Sequence, residues 1–159
     1  METPIDVHFP LLFKILTYDR NLVKRVGEEI VFGILYQEKF RKSFNVKINV
    51  DNFLRHWSNT NSRIENIPCR FVYINLSSPD DLKTRLAREK VDVVYVAPLR
   101  AFPLDSLVTI CRGAGITSFT GVPEYCEAGI SLGIGSRGES PLIIINLAGS
   151  QQEGADFSS

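Results

Sequence analysis

Gly133-Ile-Gly-Ser-Arg-Gly138 spells the G-x-G-x-x-G of a dinucleotide-binding loop. That motif works where a strand leads into the glycines and a helix leaves them, so that backbone N–H groups at a helix N-terminus meet a pyrophosphate. Here an apolar run from Gly129 to Gly135 and a second, Pro141-Leu-Ile-Ile-Ile-Asn146, flank the short polar insert Arg137 to Ser140. Two strand-length apolar runs around a tight polar turn read as a β-hairpin. The glycines are therefore expected in a ribbon, and no nucleotide site is expected among them.

The other candidate groups are sparse. There is no Gly-Lys-Ser/Thr phosphate loop. The two histidines, His8 and His56, fall in helical segments, and no spacing ties either to a nucleophile. Asp80 and Asp81 follow Ser78-Pro79, and the first turn of a helix accounts for both. Glu124 and Glu127 share a helix face with no third group beside them. Arg20, Lys24 and Arg25 form a basic cluster suited to a helix C-terminus. Cys69, Cys111 and Cys126 fit no zinc spacing. They are either three semi-buried thiols or a Cys69–Cys111 bridge with Cys126 left over. No cofactor, metal or catalytic activity is expected.

The elements that must position any site follow from periodicity. Val7, Leu11, Leu12, Ile15, Leu16 and Leu22 predict a helix from Ile5 to Val26, with Pro10 in or before its first turn and Gly27 closing it. Glu29 to Tyr36 is a continuous apolar strand, as in a sheet covered on both faces. Lys39 to Ser58 reads as one helix, or two broken near Asn49-Val50-Asp51, although Val46 to Val50 alternates like a strand. A polar loop, Thr60 to Pro68, leads to a strand over Cys69–Leu76, and Ser78 caps a helix running to Lys90. A strand (Val91–Val96), a helix (Pro103–Arg112), a strand (Ile116–Thr120), a short helix (Val122–Ala128) and the hairpin complete the order. Such alternation makes right-handed parallel β-α-β units, while the hairpin pair is antiparallel. The expected fold is a single α/β domain over residues 1–159: a three-layer αβα sandwich on a mixed, mostly parallel sheet ending in an antiparallel hairpin. Ser158 or Ser159 reads as an N-cap, which predicts a further helix beyond the last residue.

Open α/β sheets take ligands beyond the carboxyl ends of their parallel strands. Those ends make Gln37, Ser77, Pro98, Arg100 and Val122 the candidate ligand- or partner-binding residues. Arg100 is the obligate cation among them, able to clamp a carboxylate or phosphate through two parallel hydrogen bonds.

Bulk properties narrow the partner. Lys+Arg and Asp+Glu are equal at 18 each in 159 residues, so the excess basic charge that nucleic acid requires is missing. No apolar run is long enough to span a membrane. Met1-Glu-Thr-Pro4 has no basic n-region of a secretory leader. Either the protein is cytoplasmic or a leader has been removed.

Tyr18-Asp19-Arg20-Asn21-Leu22 after an N-terminal helix, followed by the strand Ile30–Tyr36, is similar to the opening of YfiR-like proteins. The closing order Glu127-Ala-Gly-Ile-Ser-Leu-Gly-Ile, a turn, Ile144-Ile-Asn146-Leu-Ala, then Gly154 and Phe157-Ser-Ser159 resembles the same family. The resemblance covers almost the whole chain and rests mostly on structural residues. It implies a small periplasmic α/β protein, often a dimer, without enzymatic activity. It also implies a role in cyclic-di-GMP and biofilm control, by restraining a membrane-anchored diguanylate cyclase through its periplasmic part. The family carries a leader peptide and continues past the Ser-Ser pair into a helix. Its best-known member has two disulfides; Cys69 and Cys111 resemble one of those pairs in placement, and Cys126 has no partner for the other. Two functions are thus expected: a regulator acting by protein–protein contact, and alternatively a sensor with a small molecule at the strand ends around Arg100.

Overall fold

The structure, a computed structural model, describes residues 5–60 and 63–157. The Ser158 or Ser159 cap lies outside them. Helices α1 (Ile5–Thr17) and α2 (Leu22–Arg25) precede strand β1 (Ile30–Tyr36), and α3 (Arg41–Thr60) connects it to β2 (Arg63–Ile64) and β3 (Ile67–Asn75). Then follow α4 (Pro79–Glu89), β4 (Val93–Val96), α5 (Leu104–Ala114), β5 (Thr117–Thr120), α6 (Glu124–Glu127), β6 (Leu132–Arg137), β7 (Ser140–Ile145) and α7 (Leu147–Gln152).

The seven strands form one sheet in the order β2-β3-β1-β4-β5-β6-β7, parallel from β3 to β6, with antiparallel pairs at both margins. Strands β1 and β4 are apolar on both faces, because helices cover both. Ile30, Phe32 and Ile34 of β1 meet Phe9, Leu12 and Leu16 of α1 and Val50 and Leu54 of α3 in one core. Val31 and Leu35 point the other way, into Leu82 and Leu86 of α4 and Leu107, Val108 and Cys111 of α5. The molecule is a three-layer α/β sandwich, as the alternation predicts.

Several local expectations change. The first helix breaks at Thr17, because the Asp19 carboxylate turns inward: its Oδ1 accepts from Asn21 N and Asp156 N, and its Oδ2 from Arg25 Nη2 at 2.7 Å. Pro10 lies inside α1, past its first turn. Residues Arg41–Thr60 are one helix, so the alternating Val46–Val50 stretch is helical. The polar loop before β3 contains β2, a short antiparallel partner of β3. Asn146 caps α7, which the hairpin reading passed over, accepting from Gly149 N at 2.9 Å.

The hairpin forms as expected. Arg137 pairs with Ser140, and Gly138 takes φ 62°; a turn of this length needs a glycine at its first central position when only that residue is left-handed. Asn146 N donates to Ser131 O at 2.7 Å. Counting back along the antiparallel register, Ile145, Ile143 and Pro141 then turn their backbone groups away from β6, to the open edge. Pro141 has no N–H to leave unpaired there.

The Cys69–Cys111 bridge is overturned. All three cysteines are thiols. Cys69, on β3, packs against the α1–α3 core, whereas Cys111 is buried in the α4–α5 core, so the sheet itself lies between them. Burial pushes the Cys69 thiol up to about 12 and that of Cys126 to about 11.

Candidate functional site

Counting the parallel strands alone, their order is 2-1-3-4-5, a doubly wound arrangement. The winding reverses between β1 and β4: α3 leaves β1 toward one face, while α4 returns to β4 over the other. Loops at such a reversal diverge, which opens a crevice at the strand ends. Gln37 follows β1 at this point, and Pro98–Arg100 follow β4.

The Gln37 amide joins the two loops. Its Nε2 donates to Arg100 O at 2.9 Å, and its Oε1 accepts from Arg100 N at 2.7 Å. Gln37 N in turn donates to the Oγ of Ser43, a hydroxyl with no solvent exposure. Ala101, the next residue, is held at φ 56°, a left-handed conformation unusual for a residue with a Cβ. The Tyr125 hydroxyl accepts from Leu99 N at 3.0 Å and fixes the other side of the same loop. The Arg100 guanidinium lies 4.6 Å from the Phe40 ring centre. Stacking uses the face of the guanidinium and leaves its N–H edge for an acceptor.

Two clefts open here. One, of about 540 Å³, lies among Gln37, Glu38, Lys39, Phe40, Asn75, Ser77 and Arg100, two cations against one carboxylate. The other, of about 430 Å³, lies among Phe40, Pro98, Gly121, Val122, Tyr125 and Ser136. The five residues expected from sequence thus divide: Gln37, Ser77 and Arg100 share the first cleft, Pro98 and Val122 the second, and Phe40 borders both. Ser77 faces its own helix as well, its Oγ donating to Asp81 Oδ2 at 3.1 Å. Phe40, Lys42, Asn75 and Tyr125 were missed. Phe40 read simply as part of an apolar helix face, and its meeting with Arg100 depends on a strand crossover.

Below the second cleft, Gly121 passes over a buried polar pair. His8 Nδ1 lies 3.1 Å from the Tyr95 hydroxyl. A Cβ on Gly121 would fall 2.2 Å from His8 Cε1 and 3.0 Å from the Tyr95 oxygen. His8 is therefore a packed core residue, whereas His56 is exposed on α3.

Two glycines of the G-x-G-x-x-G spelling serve packing. A Cβ on Gly133 would meet the Cys126 Sγ, and one on Gly135 would lie 2.9 Å from Pro123. The α6 segment thus sits directly on β6. Contrary to the expectation that no G-x-S-x-G nucleophile elbow occurs, Gly129-Ile-Ser-Leu-Gly133 spells that pattern. An elbow needs a strand before the serine and a helix after it. Ser131 instead precedes strand β6, has no exposure, and donates its hydroxyl to Glu153 Oε1 at 2.6 Å.

Glu153 anchors the C-terminal segment at the opposite end of the sheet. Besides Ser131 it accepts from Ser118 N at 2.9 Å and Ser118 Oγ at 2.8 Å. Its pKa is raised because burial outweighs those hydrogen bonds and the nearby Arg112. Arg25 joins the same knot, donating to Asp19 Oδ2 and Thr117 Oγ1 and to the carbonyls of Gly115 and Glu153. Of the basic cluster, Arg25 thus forms a largely buried cross-link, whereas Arg20 and Lys24 are exposed. Asn21 Nδ2 donates to Gly154 O. The opening and closing residues that resemble the YfiR-like pattern, Asp19, Asn21 and Gly154 among them, thus meet each other.

No protein-family model matches this sequence, and no curated protein matches it. Solved structures of similar fold exist. A conserved domain protein from Vibrio cholerae is 13% identical over 97% of this chain and 56% of its own, with a TM-score of 0.62. An ABC domain from Streptococcus pneumoniae, solved in complex with L-Trp, is 14% identical over 90% of this chain and 56% of its own, with a TM-score of 0.56. This chain spans little more than half the length of either. At such identities the likeness is one of fold.

Proposed function

We propose that this domain is a sensor rather than an enzyme, and that it binds a small molecule at the strand ends between β1 and β4. The observation that carries the reading is the meeting of Gln37, Ser77 and Arg100 on one cleft at the point where the winding of the sheet reverses. A guanidinium stacked on Phe40 offers a donor edge beside an apolar ring, which suits a carboxylate attached to an apolar or aromatic body. The pneumococcal domain in complex with L-Trp supports a ligand of amino-acid size. Binding there would favour the arrangement in which the Gln37 amide ties the two loops, and the ligand would shift the population toward it. The test is a thermal-shift screen of amino acids and small carboxylates, followed by titration of Arg100→Ala and Phe40→Ala. The expected result is a ligand that raises Tm in the parent and loses affinity in both variants. Equal affinity in all three proteins would overturn the site.

A second reading is the regulator that the YfiR-like resemblance implies: a periplasmic domain, possible as a homodimer, restraining a membrane-anchored signalling protein by contact. One observation favours a contact surface. The outer strand β7 is apolar, with Leu142, Ile143 and Ile145 each 40% exposed and Leu147 50% exposed. Its edge offers the N–H and C=O of Ile143 and Ile145, the arrangement by which an added strand pairs with a sheet. Pull-down from membrane extract tests it: a specific membrane partner held by the parent and lost with Ile143→Lys supports the reading, and equal capture by both contradicts it.

A further inference from the structure

A third cleft lies far from the strand-end loops, between α4 and α5 on the other side of the sheet's length. Its walls are written in helical spacing. Lys83, Leu86, Ala87 and Lys90 follow each other at i, i+3, i+4 and i+7 along α4 and its cap. Ile110, Gly113 and Ala114 face them from α5, and the buried side chains of Val91 and Ile116 form the floor. The small residues Ala87, Gly113 and Ala114 leave the space between the helices unfilled, and its volume is about 520 Å³.

Size and charge decide what fits. A helix about 10 Å across fills about 420 Å³ per turn, so the groove takes barely one turn and is a poor seat for a docking helix. It lies within the range of about 300–1,000 Å³ usual for small-molecule sites. Among the described residues, the charged groups that line it are Lys83 and Lys90, with no acidic side chain. The Thr109 hydroxyl at its rim is occupied in donating to Asp105 O at 2.9 Å. What remains is an apolar slot with two cations at its mouth.

We propose that the α4–α5 groove binds an amphiphilic carboxylate of the fatty-acid type, its alkyl chain between Ala87 and Gly113 and its carboxylate against Lys83 and Lys90. This site is separate from the strand-end clefts and does not depend on them. Snorkelling lysine stems that merely cover apolar surface would look alike at rest, so the charge must be tested together with the shape. Decanoate is titrated into the ¹⁵N-labelled full chain, with decyltrimethylammonium as the cation of equal chain length. The expected result is saturable shifts of the Ala87, Lys90, Gly113, Ala114 and Ile116 amides with decanoate, and much weaker ones with the cation. Lys83→Gln with Lys90→Gln weakens decanoate binding about tenfold, or about 1.4 kcal/mol. Gly113→Phe fills the groove and removes binding; a Cβ there meets nothing within 4 Å, and an amide spectrum dispersed like the parent's establishes that the variant is folded. Equal binding of both amphiphiles, an unchanged Kd in the double lysine variant, no saturable shift at millimolar decanoate, or shifts confined to Gln37 and Arg100 would each overturn the proposal.

Discussion

Gln37 ties two loops with a single amide, so its substitutions read out the geometry directly. Gln37→Ala removes both hydrogen bonds to the Arg100 backbone and is expected to cost about 1 kcal/mol, since exposed pairs contribute little net. Urea unfolding measures the cost, and hydrogen exchange at the Arg100 amide should accelerate strongly. Gln37→Glu keeps the acceptor for Arg100 N but sets a carboxylate against Arg100 O, and should also loosen the loop. Glu153 makes a pH prediction. Its folded pKa is raised above the ordinary 4.5, so the folded state holds the proton more tightly than the unfolded chain. Stability is then greatest below about pH 4.5 on this account and falls as pH rises from there through the folded value. Glu153→Gln retains acceptors and donors for Ser118 and Ser131 and should flatten that slope in urea melts taken from pH 4 to 8. Glu153→Ala strands the Ser118 N–H and should cost about 1–3 kcal/mol. Arg100 was legible because topology alone marks strand ends. Glu153 was not, because its partners Ser118 and Ser131 lie 35 and 22 residues away, and no local pattern signals a buried carboxylate.

At the scale of elements, strands and long helices followed from periodicity, and errors gathered where a side chain overrode it. The first helix keeps apolar spacing past Thr17, yet the Asp19 carboxylate stops it in order to receive Arg25, Asn21 N and Asp156 N. Helix α7 is short and follows a strand directly, so its Asn146 cap read as the end of the hairpin. The terminal glycines show why a motif needs its context: they admit Cys126 and Pro123 against β6 rather than a phosphate. Gly121 gives the sharpest packing test. Gly121→Ala drives a methyl into the His8 ring and should destabilise by about 1–3 kcal/mol, measured by thermal or chemical denaturation. A Tm equal to the parent would contradict the observed packing. On β7, Ile143→Lys replaces a partly exposed side chain and is expected to change stability by no more than about 0.5 kcal/mol.

The whole molecule is tied by contacts between the segment after α1 and residues 153–156. Arg20 N donates to Asp156 O, Asn21 Nδ2 to Gly154 O, and Arg25 Nη1 to Glu153 O, so the first loop and the last segment form one polar knot beneath the sheet. The same three-dimensional view removes the disulfide: mass spectrometry of native protein under non-reducing conditions should find three thiols, with slow alkylation at neutral pH because burial holds Cys69 and Cys126 at about 12 and 11. A Cys69–Cys111 crosslink would contradict the placement of the two on opposite faces. With the loop after α1 and the last described segment fastened at one end of the strands, the loops at the other end are left to respond to a ligand. The most direct test of that claim is an amide shift map of the ¹⁵N-labelled domain against the best ligand from the thermal-shift screen. The account predicts saturable shifts centred on Gln37, Phe40, Ser77 and Arg100, lost in Arg100→Ala. A saturable ligand that leaves those four amides unmoved would contradict it.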